Sequence, residues 1–172
     1  RGLRRPSGNR RGVEPVRRVV EAEPTLGIGT LTLYAFSADN WRRPPREVRA
    51  LMHLCRRYLR AETPRLVERG VRLSVIGRRD RLPLPVRDAI ASAVSATADG
   101  RTLHLRLAID YSARDAIAEA ARLAVADGTS AGDLTRARLG EYLAAANGPE
   151  AAASQSDVDL LIRTAVERRL SD

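Results

Sequence analysis

Within the stretch Ser37-Ala38-Asp39-Asn40-Trp41-Arg42-Arg43 the chain places a hydroxyl, a carboxylate, an amide, its only tryptophan and two guanidiniums. The planar forks of arginine suit phosphate oxygens, while an amide and a carboxylate can orient or accept a proton. An apolar run, Leu31 to Phe36, leads directly into the segment. Three further polar groups follow apolar runs in the same way: Arg78-Arg79-Asp80, Asp110 to Arg114, and Arg163 to Ser171. In an open α/β sheet, ligands bind in the crevice outside the carboxyl ends of the strands. If the apolar runs are parallel strands, all four groups share that edge and form a cationic crevice fit for a polyanion such as a diphosphate. Two unit charges about 4 Å apart attract by about 4 kcal/mol at an effective dielectric of 20, before desolvation. Three or four arginines could therefore hold a diphosphate and stabilise it as a leaving group. Spacing alone leaves a second reading equally open, in which the arginines only solvate the sheet edge.

The elements that would position these groups are legible from periodicity. Val13, Val16, Val19 and Val20 recur at helical spacing, so residues 13–26 read as a helix ending before Gly27. Residues 30–36, 71–77, 103–111 and 157–164 are short apolar runs of the kind buried in a parallel sheet. Between them, Val48, Leu51, Met52, Cys55, Tyr58 and Leu59 form one helical stripe behind Pro44-Pro45. Further helices are expected over residues 84–98, 113–126 and 135–146, and residues 147–156, rich in Ala, Gly and Ser, read as a mobile loop. Strands alternating with helices predict an α/β fold, a single domain over residues 1–172 with a mainly parallel sheet flanked by helices.

Composition narrows the classes. At 172 residues the chain can bury one core, and no run of about 18 apolar residues is present to span a membrane. The net charge of +9 invites a nucleic-acid reading. All 30 basic residues are Arg, however, and aromatics are only 3%, so the stacking surface of a single-strand binder is lacking. No nucleic acid is expected as a partner. Cys55, the single cysteine, lies on the apolar stripe and reads as a small buried hydrophobe in a reducing, cytoplasmic protein. His53 and His104 have no companion at metal-ligand spacing. Nucleotide-binding glycine loops and the Gly-x-Ser-x-Gly elbow of hydrolases are also missing.

The segment Tyr34 to Pro44 closely resembles the signature of the cis-prenyltransferases, the undecaprenyl diphosphate synthase family. Four more stretches resemble the family in the same order: Arg1 to Glu14, Val71 to Gly77, Leu103 to Tyr111, and Asp159 to Thr164 with Glu167-x-Arg169-Leu170-Ser171. The resemblance implies an undecaprenyl diphosphate synthase-like fold. It also implies an enzyme that condenses an allylic diphosphate, such as farnesyl diphosphate, with isopentenyl diphosphate in cis to give a polyprenyl diphosphate. By the same resemblance Asn40 is the catalytic residue, assisting proton removal from the condensing unit. The substrate-binding set is Arg5 and Asn9, then Ser37, Ala38, Asp39, Trp41 and Arg43 in the turn, and Arg163, Arg169, Leu170 and Ser171 near the end. Arg5 would grip the allylic diphosphate, and Arg163, Arg169 and Ser171 that of isopentenyl diphosphate. The family implies Mg²⁺, a homodimer, and peripheral membrane contact for release of a lipid product.

Some positions depart from the family pattern. Asn9 stands where His is expected, Asp39 where Glu is expected, and Ala165-Val166 where a small, usually glycine-containing pair is expected. The family's Asp-Gly-Asn-x-Arg-Trp loop, which carries the metal-binding Asp, and its late metal-ligating Glu are not among these 172 residues. No metal ligand is therefore assigned within the chain, and the 172 residues alone are expected to turn over little substrate. The alternative is a catalytically inactive homologue serving as a structural partner subunit.

Overall fold

The structure, a computed structural model, describes Arg18, residues 27–148 and residues 158–162. The elements follow the chain as β1 (Thr30–Ser37), a 3₁₀ turn (Ala38–Arg42), α1 (Pro45–Glu68), β2 (Val71–Ile76), α2 (Leu84–Ala96), β3 (Leu103–Tyr111), α3 (Ala113–Ala126) and α4 (Arg136–Ala146). The strands form a parallel sheet in the order β1-β3-β2, so the chain crosses over twice and the last strand enters the middle. That arrangement puts the carboxyl ends of all three strands on one edge.

Side-chain alternation divides the sheet into two faces. Val71, Leu73 and Val75 of β2 and Leu103, Leu105 and Ile109 of β3 point to one side and are almost wholly buried. There they meet Val48, Met52 and Leu59 of α1 and Val86, Ala89, Ile90 and Ala93 of α2 in the main core. Each large apolar side chain buried in this layer stabilises the fold by about 1.5–3 kcal/mol. Proline placement starts both covering helices: Pro45 opens α1 and Pro85 lies in the first turn of α2, where the missing N–H would have no helical partner.

The other face carries Arg72 and Ser74 with His104 and Arg106, and Ser74 Oγ lies 2.7 Å from His104 Nε2. His104 is thus a packed strand residue, as its position in an apolar run implies. Burial, with Arg106 and Arg72 nearby, holds its pKa below the ordinary 6.5. Cys55 lies against the main core, and burial pushes its thiol up to about 11, which suits an inert packing residue. Helices α3 and α4 pack on each other through Ala120, Ala124 and Tyr142. The Tyr142 hydroxyl donates to Asp127 Oδ2 at 3.0 Å.

One expected strand differs. Residues 157–164 read as a fourth strand, yet Val158 to Ile162 have no regular structure and pair with none of the three strands. Val158, Leu160, Leu161 and Ile162 are 66–77% exposed. An apolar run supplies the tendency to be buried, but a strand also needs a neighbour to complete its backbone hydrogen bonds. The helix expected over residues 13–26 and most of the loop expected over 147–156 lie outside the described residues, apart from Arg18, Asn147 and Gly148.

Candidate active site at the carboxyl edge of the sheet

The polar turn begins where β1 leaves the sheet. Pairing with β3 shifts register between Tyr34 and Phe36 and again between Phe36 and Ser37. These irregularities re-aim the side chains, as β-bulges near active sites commonly do. Phe36 thereby joins the main core, while Tyr34 takes the opposite face, where its hydroxyl donates to the Tyr111 carbonyl at 2.9 Å. Residues Ala38–Arg42 then tighten the expected polar turn into a 3₁₀ turn. The Ser37 backbone N–H donates to Asn40 Oδ1 at 3.0 Å, and the Arg43 N–H donates to the Asn40 carbonyl at 3.2 Å. Asn40 is therefore held by its own turn, with its carboxamide oriented.

The rim of the turn faces solvent. Arg42 pairs loosely with Asp39 at 3.5 Å, its own side chain being 87% exposed. Arg43 pairs with Glu47 at 3.2 Å on the first turn of α1. Exposed pairs of this kind contribute about 0–1 kcal/mol, so either guanidinium can exchange its carboxylate for a phosphate at little cost.

The inner side of the turn is anchored. Trp41 stacks edge-on against Phe36, with centroids 5.3 Å apart and planes at 75°. Its indole Nε1 donates to Asp110 Oδ1 at 2.8 Å. Asp110 is 1% exposed and also accepts a two-pronged contact from Arg81, Nε to Oδ2 at 2.9 Å and Nη2 to Oδ1 at 2.5 Å. The Arg81 guanidinium lies 5.6 Å from the Trp41 ring centroid, within cation–π range. Asp110 adopts φ +55, the left-handed region that Asp tolerates better than most residues.

The β2 end closes on the same point. Gly77 has φ +107, and a Cβ there would stand 2.4 Å from the Ile109 carbonyl oxygen and 3.0 Å from the Asp110 carbonyl. Only glycine lets the loop pass so near the central strand. The Arg78 N–H then donates to the Asp110 carbonyl at 3.1 Å, while its side chain grips Asp80 through contacts of 3.0 and 2.5 Å. That bond, above all, holds the exposed Asp80 carboxyl down at about 2. Beyond Asp110, on the side of α3 and α4, lies a cavity of about 530 Å³ lined by Arg78, Asp80, Ser112, Asp115 and Arg122 among others. Ser112 caps α3 there, accepting from the Asp115 N–H at 3.1 Å.

Six of the expected site residues, Ser37, Ala38, Asp39, Asn40, Trp41 and Arg43, thus meet in one turn at the sheet edge. Arg5, Asn9, Arg163, Arg169, Leu170 and Ser171 lie outside the described residues. Two residues that tie the edge together, Asp110 and Arg81, are not among those the signature singles out. Asp110 was visible as a carboxylate ending an apolar strand, but nothing local marks Arg81, which reaches Asp110 across 29 residues. Among the described residues no three His, Cys, Asp or Glu side chains gather to hold a metal. Asp39 faces Arg42 and Asp110 is engaged by Arg81 and Trp41. These residues do not fit a Mg²⁺ site.

All 172 residues match the protein family described as "Putative undecaprenyl diphosphate synthase". Isoprenyl transferase 1 of Bradyrhizobium diazoefficiens is 57% identical over 172 residues, covering all of this chain and 66% of that relative. Isoprenyl transferase of Geobacter sulfurreducens is 42% identical over 176 residues, covering all of the chain and 69% of its own length. The chain therefore spans about two thirds of the curated relatives it matches. Among solved structures, lavandulyl diphosphate synthase from Lavandula x intermedia, in complex with dimethylallyl diphosphate, superposes with TM-score 0.73 at 31% identity, covering 79% of this chain and 60% of that one. A "probable undecaprenyl diphosphate synthase" from Campylobacter jejuni gives TM-score 0.69 at 31% identity over 76% of this chain and 62% of its own. The family match over every residue, the identity to the isoprenyl transferases and the shared sheet place the chain in the undecaprenyl diphosphate synthase family.

Proposed function

We propose that the protein is a prenyltransferase that condenses an allylic diphosphate with isopentenyl diphosphate in cis geometry, lengthening a polyprenyl diphosphate. The observation that carries this reading is the Ser37–Arg43 turn, in which an oriented amide stands beside two solvent-facing guanidiniums at the carboxyl edge of a parallel sheet. The solved relative holding dimethylallyl diphosphate, itself an allylic diphosphate, supports the substrate class. The isoprenyl transferase names of the relatives give no support to the alternative of an inactive partner subunit.

In this reading the allylic C–O bond breaks and the diphosphate departs as an anion. The isopentenyl double bond then attacks the allylic carbon, and the resulting cation loses a proton, which the released diphosphate can accept, to form its new double bond. Arg43 and the Ser37 hydroxyl bind diphosphate oxygens. Asn40, fixed by the Ser37 N–H, aligns the proton that leaves. Arg5, Asn9, Arg163, Arg169, Leu170 and Ser171 complete the substrate contacts, and any Mg²⁺ would be held by residues other than those described. The enzyme would work as a homodimer in the cytoplasm, touching the membrane to release product; among the described residues no helix is long and apolar enough to cross one.

The test is incorporation of radiolabelled isopentenyl diphosphate into extractable lipid by the full reading frame containing these residues, with farnesyl diphosphate and Mg²⁺. Labelled lipid is expected, and Asn40→Ala should slow its formation about 10²–10⁴-fold, the range for a positioned proton-transfer group. Folded protein giving no labelled lipid, or an Asn40→Ala variant as fast as the parent, would overturn the reading.

A further inference from the structure

The Asp110 carboxylate is an unusual thing to find at the end of a central strand. It is almost completely enclosed, it sits at φ +55, and all its observed side-chain partners come from two other segments, Trp41 from the polar turn and Arg81 from the β2–α2 loop. A buried ion pair is weak grounds for stability, because apolar replacements of similar volume are often as stable; its best-attested use is to specify one arrangement. Here the arrangement specified is that of the indole. Phe36 and Arg81 bracket the Trp41 ring, and Asp110 fixes its rotation through Nε1. Trp41 follows Asn40 directly in the 3₁₀ turn, so anchoring the indole also anchors the turn whose Ser37 N–H holds the Asn40 carboxamide.

We infer that Asp110, acting with Arg81, is a positioning residue that holds the Ser37–Arg43 turn in register with the carboxyl edge of β3 through the Trp41 indole. The inference rests on the prenyl-transfer reading for its kinetic consequence, but its structural content does not. Neither residue is offered as touching substrate.

Trp41 is the only tryptophan of these 172 residues, so the fluorescence of the 172-residue chain reports the latch directly. Asp110→Asn retains a side-chain acceptor and tolerance of a left-handed backbone while removing the charge that holds Arg81; Arg81→Gln weakens the same contact without altering the strand. With folding verified by circular dichroism, both variants should show a red-shifted Trp41 emission and a larger acrylamide quenching constant. Gly128→Ala, a comparison with open space around its Cβ, should leave the spectrum unchanged. In the full reading frame, kcat should fall by up to about 10²-fold, the scale of a displacement of roughly 1 Å, with KM for both diphosphates little changed. An unchanged Trp41 spectrum with parental kcat would overturn the inference while leaving prenyl transfer intact. Altered spectra in a parent that transfers no prenyl group would sustain the latch and refute only the function. Should Asp110→Asn fail to fold, Arg81→Gln carries the same decision.

Discussion

Among the positive-φ glycines of the described residues, Gly77 is the one whose replacement by Ala should damage this protein most. Two effects add. At φ +107 an L residue is strained, at about 1–3 kcal/mol for a sparsely populated backbone region. The new Cβ would also lie 2.4 Å from the Ile109 carbonyl oxygen and 3.0 Å from the Asp110 carbonyl. That backbone belongs to β3, which is hydrogen-bonded on both sides by β1 and β2 and cannot move aside cheaply. Overpacking of this kind adds about 1–3 kcal/mol, for a total of about 2–6 kcal/mol. Gly128→Ala provides the control: φ is +70, nothing lies within 4 Å, and only the left-handed penalty of about 1–2 kcal/mol applies. The gain from a stiffer unfolded chain is common to both and cancels in the comparison. With a urea slope of about 2 kcal/mol/M, the midpoint should fall by about 1–3 M for Gly77→Ala and by about 0.5–1 M for Gly128→Ala. Urea titration followed by circular dichroism measures both. A Gly77→Ala midpoint no lower than that of Gly128→Ala would refute the claim that the β2–α2 loop is pressed against the central strand.

Two further outcomes follow from groups away from the turn. Thr97 Oγ1 accepts from the Leu73 N–H at 3.1 Å and donates to the Ala93 carbonyl at 2.8 Å, so it completes the outer edge of β2 from inside the fold. Thr97→Val keeps the shape but leaves that buried N–H unpaired and should cost about 1–3 kcal/mol in denaturant unfolding; a loss below about 0.5 kcal/mol would show that the bond contributes nothing beyond packing. His104 has a pKa lowered from 6.5 in the folded protein. The unfolded chain therefore binds the proton first as pH drops, so His104 makes stability decline from 6.5 downward, towards the folded pKa, and is neutral above that window. An NMR titration of its ring should have a midpoint under 6.5, and a midpoint at or above that value would contradict the packing assigned to it.

How much of this was legible beforehand differs by element for physical reasons. The run Leu103 to Tyr111 and the helix over residues 113–126 were read with the boundaries the structure shows, because an unbroken apolar run and a helical period each encode one state. The same logic overreached at Leu160-Leu161-Ile162, where hydrophobicity was present but no described strand pairs with it. That six of the expected site residues share one turn was legible because they are contiguous in sequence. The contacts that anchor them were not: Trp41 and Asp110 are 69 residues apart, and their meeting depends on the crossover that inserts β3 between β1 and β2. The tightening of Ala38–Arg42 into a 3₁₀ turn was hidden for a related reason, since it rests on Asn40 folding back onto the Ser37 N–H.

The most direct measurement is the geometry of the bond the enzyme makes. Farnesyl diphosphate and ¹³C-labelled isopentenyl diphosphate would be incubated with Mg²⁺ and the full reading frame, and the methyl resonances of each added unit assigned in the extracted product. The account predicts chain-elongated polyprenyl diphosphate in which every added double bond is cis. Added units in trans, or an unelongated allylic diphosphate recovered from folded protein, would contradict it.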